Sequence, residues 1–357
     1  MGKAVKSACL FFLTLVALPL CGATYKVGET TRQFPGNADT NWREAATHAL
    51  VTVIWYPAGA AANERPQLLG DLFNAGTWAE NAQMAAEPAK FPLILLSHGT
   101  GGSALQFGWL GPVLAAHGFI IAAVNHPGNN ATEDYTPAGF TLWWERAKDI
   151  FTVLDRMLAD PQFGPRIDAK RIGAGGFSLG GYTMMELAGA TTNLVSFRNG
   201  CATPMNLCDG PPEFPDLPAR VQQAMKTDPS IQASLSHSSD SYRELRIRAV
   251  FAVAPAIAVA LNPKSVSQIS VPVELVVGSK DPIAPPAENA QYLAKLIPGA
   301  KLTILPGASH YTFLDDCTEA GRAKLPQLCA TESAAERRGY HERVAQMGLV
   351  FFEKNLQ

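Results

Sequence analysis

The chain has 357 residues, is 47% hydrophobic and 17% charged, and carries a formal net charge of −2. That balance offers no electrostatic basis for binding nucleic acid or an anionic membrane surface. The length suits one large α/β domain with insertions, able to bury a full core without a metal or disulfides.

The first stretch reads as an export signal covering residues 1–23. Lys3 and Lys6 form a basic start, Ala8 to Leu20 is an apolar run, and Cys21-Gly22-Ala23 puts small residues where a signal peptidase reads. Cleavage after Ala23 is the expectation. Lipoprotein anchoring at Cys21 competes with it, but Leu20 is large for the residue before such a cysteine. The mature chain, 24–357, holds no further segment apolar and long enough to span a bilayer. It is therefore expected outside the cytoplasm, periplasmic or secreted.

Apolar runs bounded by glycine or proline then recur as buried strands: Leu50–Tyr56, Pro92–Ser97, Phe119–Asn125, Arg171–Gly176, Ala249–Ala254, Val271–Val277 and Lys301–Leu305. Helix-period segments separate them. Leu142–Leu158 places Trp143, Ala147, Ile150, Phe151, Leu154 and Met157 on one stripe, and Tyr182–Ala190, Ala287–Leu296 and Arg338–Lys354 read similarly. The alternation predicts an α/β fold, a mostly parallel central sheet with helices on both faces. Residues 193–247 interrupt it. They are rich in Pro, Ser and Asp and read as a cap or lid insertion after the helix that follows Arg171–Gly176.

The chemistry gathers at expected strand ends. After Pro92–Ser97 comes His98-Gly99-Thr100-Gly101-Gly102, close to the glycine-rich loop that supplies an oxyanion-hole amide in esterases. Thr100 is the expected donor, Gly101 the next choice, and His98 is expected to be structural. After Arg171–Gly176 comes Gly176-Phe177-Ser178-Leu179-Gly180, a serine between glycines at a strand-to-helix turn. Such a turn lifts the hydroxyl out of the sheet, and only small residues two positions away let strand and helix approach closely enough. Ser178 is the candidate nucleophile and Leu179 offers the first oxyanion-hole amide. Alone the pentapeptide is weak evidence; its partners decide.

Asp281, in Gly278-Ser279-Lys280-Asp281-Pro282, and His310, in Pro306-Gly307-Ala308-Ser309-His310, follow the last two strands. The order Ser, Asp, His is the one an α/β-hydrolase uses. His310 is the candidate base and Asp281 the group that orients it. Asp315 and Asp316 follow the histidine too closely for that order. Among other histidines, His117 ends a helix, His237 lies in the insertion, and His48 and His341 fall by pattern far from this edge. Gly173-Ala174-Gly175-Gly176 fails as a dinucleotide fingerprint, because Ser178 stands at the third glycine position.

Cys201, Cys208, Cys317 and Cys329 remain in the mature chain. Three pairings exist, of which local closure favours Cys201–Cys208 and Cys317–Cys329. Their spacings do not suit zinc, so no metal is expected.

These words together resemble the α/β-hydrolase superfamily. More narrowly the chain is similar to the bacterial "predicted dienelactone hydrolase" group, related to platelet-activating factor acetylhydrolase and to secreted polyester hydrolases. The resemblance rests on Phe91 to Gly99, Asn125-His126-Pro127-Gly128, Arg166 to Gly173, the serine turn, and Gly307-Ala308-Ser309-His310. It departs from true dienelactone hydrolases, which are expected to use cysteine where Ser178 stands. The acetylhydrolases place the acid after the strand following the elbow helix, and Val253-Ala254-Pro255-Ala256 offers no carboxylate there, which strengthens Asp281. The resemblance implies hydrolysis of a small-molecule or lipid-like ester through an acyl-enzyme, with no cofactor. A serine peptidase or acyltransferase on the same fold, and a non-catalytic binding protein, are the alternatives. Phe107, Trp109, Trp143, Trp144, Tyr311 and Phe313 lie near the active edge, each expected to pack rather than to touch substrate.

Overall fold

A computed structural model describes residues 25–201, 209–211 and 213–357. The expected export signal and Cys208 therefore lie outside the described residues. Among the described residues eleven strands form one sheet: β1 Lys26–Phe34, β2 Leu50–Ala58, β3 Arg65–Leu69, β4 Phe73–Glu80, β5 Phe91–Ser97, β6 Ile120–Val124, β7 Ile167–Phe177, β8 Ile247–Val253, β9 Val273–Gly278, β10 Lys301–Leu305 and β11 Asp316–Cys317. Their order is β10-β9-β8-β7-β5-β6-β2-β1-β4-β11, with β3 on β4.

The six strands from β10 to β6 are parallel, whereas β2 joins β6 and β1 antiparallel. The parallel strands are the continuous apolar runs read from the sequence. Where they are buried on both faces, in the interior of the sheet, they have no reason to alternate. β5, β6 and β9 are buried at every position.

The sheet is larger than the sequence reading, which began at Leu50. β1, β3, β4 and β11 extend it. β1 (KVGETTRQF) mixes exposed and buried positions, and β3 (RPQLL) has no buried residue, so neither carries the apolar run that marks an inner strand. Helices cover both faces. Glu145–Ala159 and Leu179–Ala188 pack on one side through Ile150, Val153, Leu154 and Leu187. Gly111–Ala116 and the C-terminal helix Ala334–Asn355 pack on the other through Leu114, Val344, Leu349 and Phe352.

Among the described residues of the 193–247 segment lie the helices Leu194–Gly200, Leu217–Thr227 and Pro229–Ser236. Its Phe214 ring stands edge-on to Phe140 with centroids 5.1 Å apart. Cys317 and Cys329 form a disulfide, as local closure favours.

Candidate active site

The turn after β7 puts Ser178 at φ 55° and ψ −117°, a conformation costly for a side-chain-bearing residue. Neighbours fix it there. The Ser178 amide donates to the Val253 carbonyl at 3.0 Å, and the Ala256 amide donates to the Ser178 carbonyl at 3.1 Å. A Cβ on Gly176 would overlap the Gly180 carbonyl, and one on Gly180 would overlap the Ser97 carbonyl. Both glycines flanking the serine are thus required by close backbone approach. The helix Leu179–Ala188 begins directly after Ser178, so the Leu179 amide is one of the N-terminal N–H groups without an intrahelical acceptor.

Asp281 and His310 come from the loops after β9 and β10, and those loops hold each other. The Ser279 amide donates to the Leu305 carbonyl at 2.9 Å and the Lys280 amide to the Ala308 carbonyl at 2.9 Å. The result joins three sequence-predicted residues. His310 Nε2 lies 3.0 Å from Ser178 Oγ, and His310 Nδ1 lies 2.7 Å from Asp281 Oδ2. The other carboxylate oxygen of Asp281 accepts the Ile283 and Ala284 amides at 2.9 and 2.7 Å. This fully satisfied carboxylate fixes the ring's orientation. The Phe177 ring covers the imidazole face at 4.9 Å between centroids, and all three side chains are buried.

Neither rival carboxylate meets His310, whose Nδ1 is taken by Asp281. Burial drives the Asp315 carboxyl well above its ordinary range, and Asp316 bonds Arg338 at 3.0 Å. The segment after β8 packs against the elbow instead of offering an acid; a Cβ on Gly181 would sit 2.7 Å from Pro255 Cα. One expectation needs correcting. His341 does not lie far from this edge: its ring stacks on Trp109 at 4.8 Å and its Nε2 donates to the Thr312 carbonyl at 2.8 Å, two residues beyond His310. The long C-terminal helix returns it there, which local pattern does not reveal. Phe107 and Phe313 are buried core residues, and Trp109 donates to the Phe313 carbonyl at 3.0 Å.

The loop after β5 runs beside the serine. A Cβ on Gly99 would stand 3.2 Å from Ser178 Cβ. The Gly101 amide is occupied, donating to Asn129 Oδ1 at 2.7 Å, and the Gly102 amide donates to the Gly99 carbonyl at 3.2 Å. Among the described residues the Thr100 amide has no such acceptor, which separates it from Gly101. His98 is structural: Nδ1 donates to the Gly99 carbonyl at 2.6 Å and Nε2 accepts the His126 amide at 3.1 Å.

Behind this loop lies a network that sequence reasoning missed. His126 contacts Ser97 Oγ through Nε2 at 2.8 Å and Asp149 Oδ2 through Nδ1 at 2.7 Å. Asp149 also pairs with Arg43 at 2.7 Å, and Arg146 donates to the His98 carbonyl at 2.7 Å. All these side chains are buried. Burial, then Arg146, hold both His98 and His126 well below the ordinary histidine range, so both are neutral. Burial and Arg43 push Arg146 down to about 9, which leaves it charged at neutral pH. On the outer side of the loop, the insertion contributes Glu213, whose Cγ would be 3.1 Å from a Cβ on Gly101. Tyr135 there donates to the Gly101 carbonyl at 2.9 Å.

A parallel sheet flanked by helices, with a strained serine at the carboxyl end of a central strand, defines the α/β-hydrolase class. The chain belongs to the alpha/beta hydrolase family, whose model matches residues 93–320. A cutinase (est1) of Thermobifida alba is 31% identical over 138 residues, covering 38% of this chain and 42% of the cutinase. Lipase 1 of Moraxella sp. is 38% identical over 80 residues, covering 22% of each chain. Platelet-activating factor acetylhydrolase of Bos taurus is 46% identical over 46 residues, 13% of this chain and 10% of that protein. These alignments thus span less than half of the relatives' lengths. A ferulic acid esterase structure from Streptomyces cinnamoneus superposes with a TM-score of 0.62 at 21% identity, covering 96% of this chain and 92% of that one. At that identity the likeness shows the shared fold.

Proposed function

We propose that the protein is an exported serine esterase that cleaves carboxylic esters through an acyl-enzyme. The observation that carries this reading is the unbroken relay from Ser178 Oγ to His310 Nε2 at 3.0 Å and from His310 Nδ1 to Asp281 at 2.7 Å. A serine hydroxyl is a poor nucleophile at neutral pH and needs such a base. His310 takes the Ser178 proton as Oγ attacks the ester carbonyl. Asp281 holds the tautomer with Nδ1 protonated and stabilises the imidazolium. The Leu179 and Thr100 amides receive the negative charge on the carbonyl oxygen. His310 then protonates the leaving alcohol, and on return activates water to release the acid.

The names cutinase and lipase among the relatives support an ester over a peptide substrate. Residues 193–247 act as a lid in this reading, since Glu213 meets the oxyanion loop and Phe214 meets Phe140. Export is supported by the Cys317–Cys329 disulfide, a bond that persists in oxidising compartments.

Hydrolysis of p-nitrophenyl esters of rising acyl length tests the reading. Turnover that depends on Ser178 is expected, and the chain-length profile reports the pocket's depth. Equal turnover by Ser178→Ala would overturn it.

A further inference from the structure

The buried network behind the loop after β5 bears on one peptide unit, the Gly99–Thr100 amide. Its carbonyl half is held from three sides. His98 Nδ1 donates to the Gly99 oxygen at 2.6 Å, the Gly102 amide at 3.2 Å, and Arg146 Nη2 approaches it at 3.5 Å. Arg146 Nη1 donates at 2.7 Å to the preceding carbonyl, that of His98. A trans peptide is planar, so its N–H points opposite to its C=O. Pinning the Gly99 oxygen back into the buried network therefore fixes the Thr100 N–H in the opposite direction, on a loop that passes 3.2 Å from Ser178 Cβ by the Gly99 Cβ position.

We infer that Arg146 is a positioning residue for the oxyanion hole: it locks the Gly99–Thr100 peptide against flipping and polarises its N–H toward the developing oxyanion. This rests on the esterase reading above. The charge is placed for that task. A guanidinium on the carbonyl side strengthens the donor on the amide side, because hydrogen bonds in a low-dielectric interior polarise one another. The network keeps His98 in register beside that cation. Asp149 bonds both Arg43 and His126, and the His126 amide caps His98 Nε2, which leaves Nδ1 of His98 as the proton-bearing nitrogen that faces Gly99. With both histidines neutral, the named groups comprise two arginines against one carboxylate. Burying such an excess of positive charge is costly, and proximity to a site where negative charge forms in the transition state gives it a use.

The test is Arg146→Met alongside Arg146→Lys, with active serines counted by stoichiometric fluorophosphonate labelling and rates expressed per labelled site. Losing one oxyanion donor lowers turnover by about 10²–10³-fold. Arg146→Met is accordingly expected to lower kcat per labelled site by at least about 10-fold, with KM within about twofold. Arg146→Lys, which keeps the charge, is expected to recover most of that loss. Unchanged kcat per labelled site, with only fewer labelled molecules or a lower Tm, would show that Arg146 serves stability alone and would overturn the inference. Should Arg146→Met not fold, Arg146→Gln keeps a neutral donor and carries the same test with the same two outcomes. The esterase reading fails separately, through activity that survives in Ser178→Ala.

Discussion

Ser178 keeps a positive φ because close neighbours leave it no alternative, and the glycines on either side make those neighbours possible. Both Cβ positions collide with backbone, which cannot swing aside as a side chain can, and Gly180, against the Ser97 oxygen, is tighter than Gly176 against the Gly180 oxygen. Gly180→Ala is predicted to cost several kcal/mol, on the order of a severe core overpacking, seen as loss of soluble folded protein or a large drop in the urea midpoint; wild-type stability would contradict the close approach. Asp281 makes a different contribution. Asp281→Asn preserves size but disturbs the tautomer of His310, so kcat should fall about 10³–10⁴-fold with the fold intact. A variant within tenfold of wild type would remove Asp281 from the mechanism. These residues were legible in the sequence because each follows a strand end in a short glycine- or proline-marked turn. Arg43, His126, Arg146 and Asp149 were not, because their bonds join positions on separate elements, from 23 residues apart for His126 and Asp149 to 106 for Arg43 and Asp149, that no local pattern relates.

At the scale of elements, the loop bearing His310 is braced from its far side. The Ser309 amide donates to Thr312 Oγ1 at 2.9 Å, Thr312 donates to Glu332 at 2.8 Å, and Glu332 pairs with the buried Arg337 at 2.6 Å. The Cys317–Cys329 disulfide closes the intervening segment, with a sequence separation of 12. Replacing both cysteines by serine should lower stability by about 3 kcal/mol, measured by urea unfolding. An unchanged midpoint would mean that the packing of Arg337 and Glu332 alone holds this segment. The inner strands were readable as apolar runs, whereas β1, β3 and β4 were not, since a half-exposed strand with mixed burial shows neither a run nor clean alternation. The helix Glu145–Ala159 was found by its apolar stripe, yet its polar residues Glu145, Arg146 and Asp149 are buried as well. Arg146 and Asp149 meet the loops after β5 and β6, and Glu145 accepts from Ser234 of the insertion, contacts that an apolar stripe does not reveal.

For the whole molecule, two buried groups set opposite limits on pH stability. Burial raises the Glu186 carboxyl to about 8, above its unfolded value of 4.5. Its contribution is fully present below pH 4.5 and is lost as pH rises toward 8. Burial depresses His341 to about 4 from 6.5, so its contribution is present above pH 6.5 and is lost as pH falls toward 4. Glu186→Gln is predicted to raise Tm at pH 8 by at least about 2 °C with little change at pH 5; equal shifts at both would contradict the raised carboxyl. The parallel core was readable because α/β alternation dictates it, and Ser178, Asp281 and His310 because each follows an apolar strand run, while the sheet's antiparallel flank and the return of His341 to the site depend on packing between distant segments. The most direct test of the central claim is fluorophosphonate labelling of the folded protein followed by peptide mass mapping. The account predicts a single stoichiometric adduct on Ser178 that is absent in Ser178→Ala and slowed in His310→Ala. No adduct on the folded wild type, or an adduct that persists in Ser178→Ala, would contradict it.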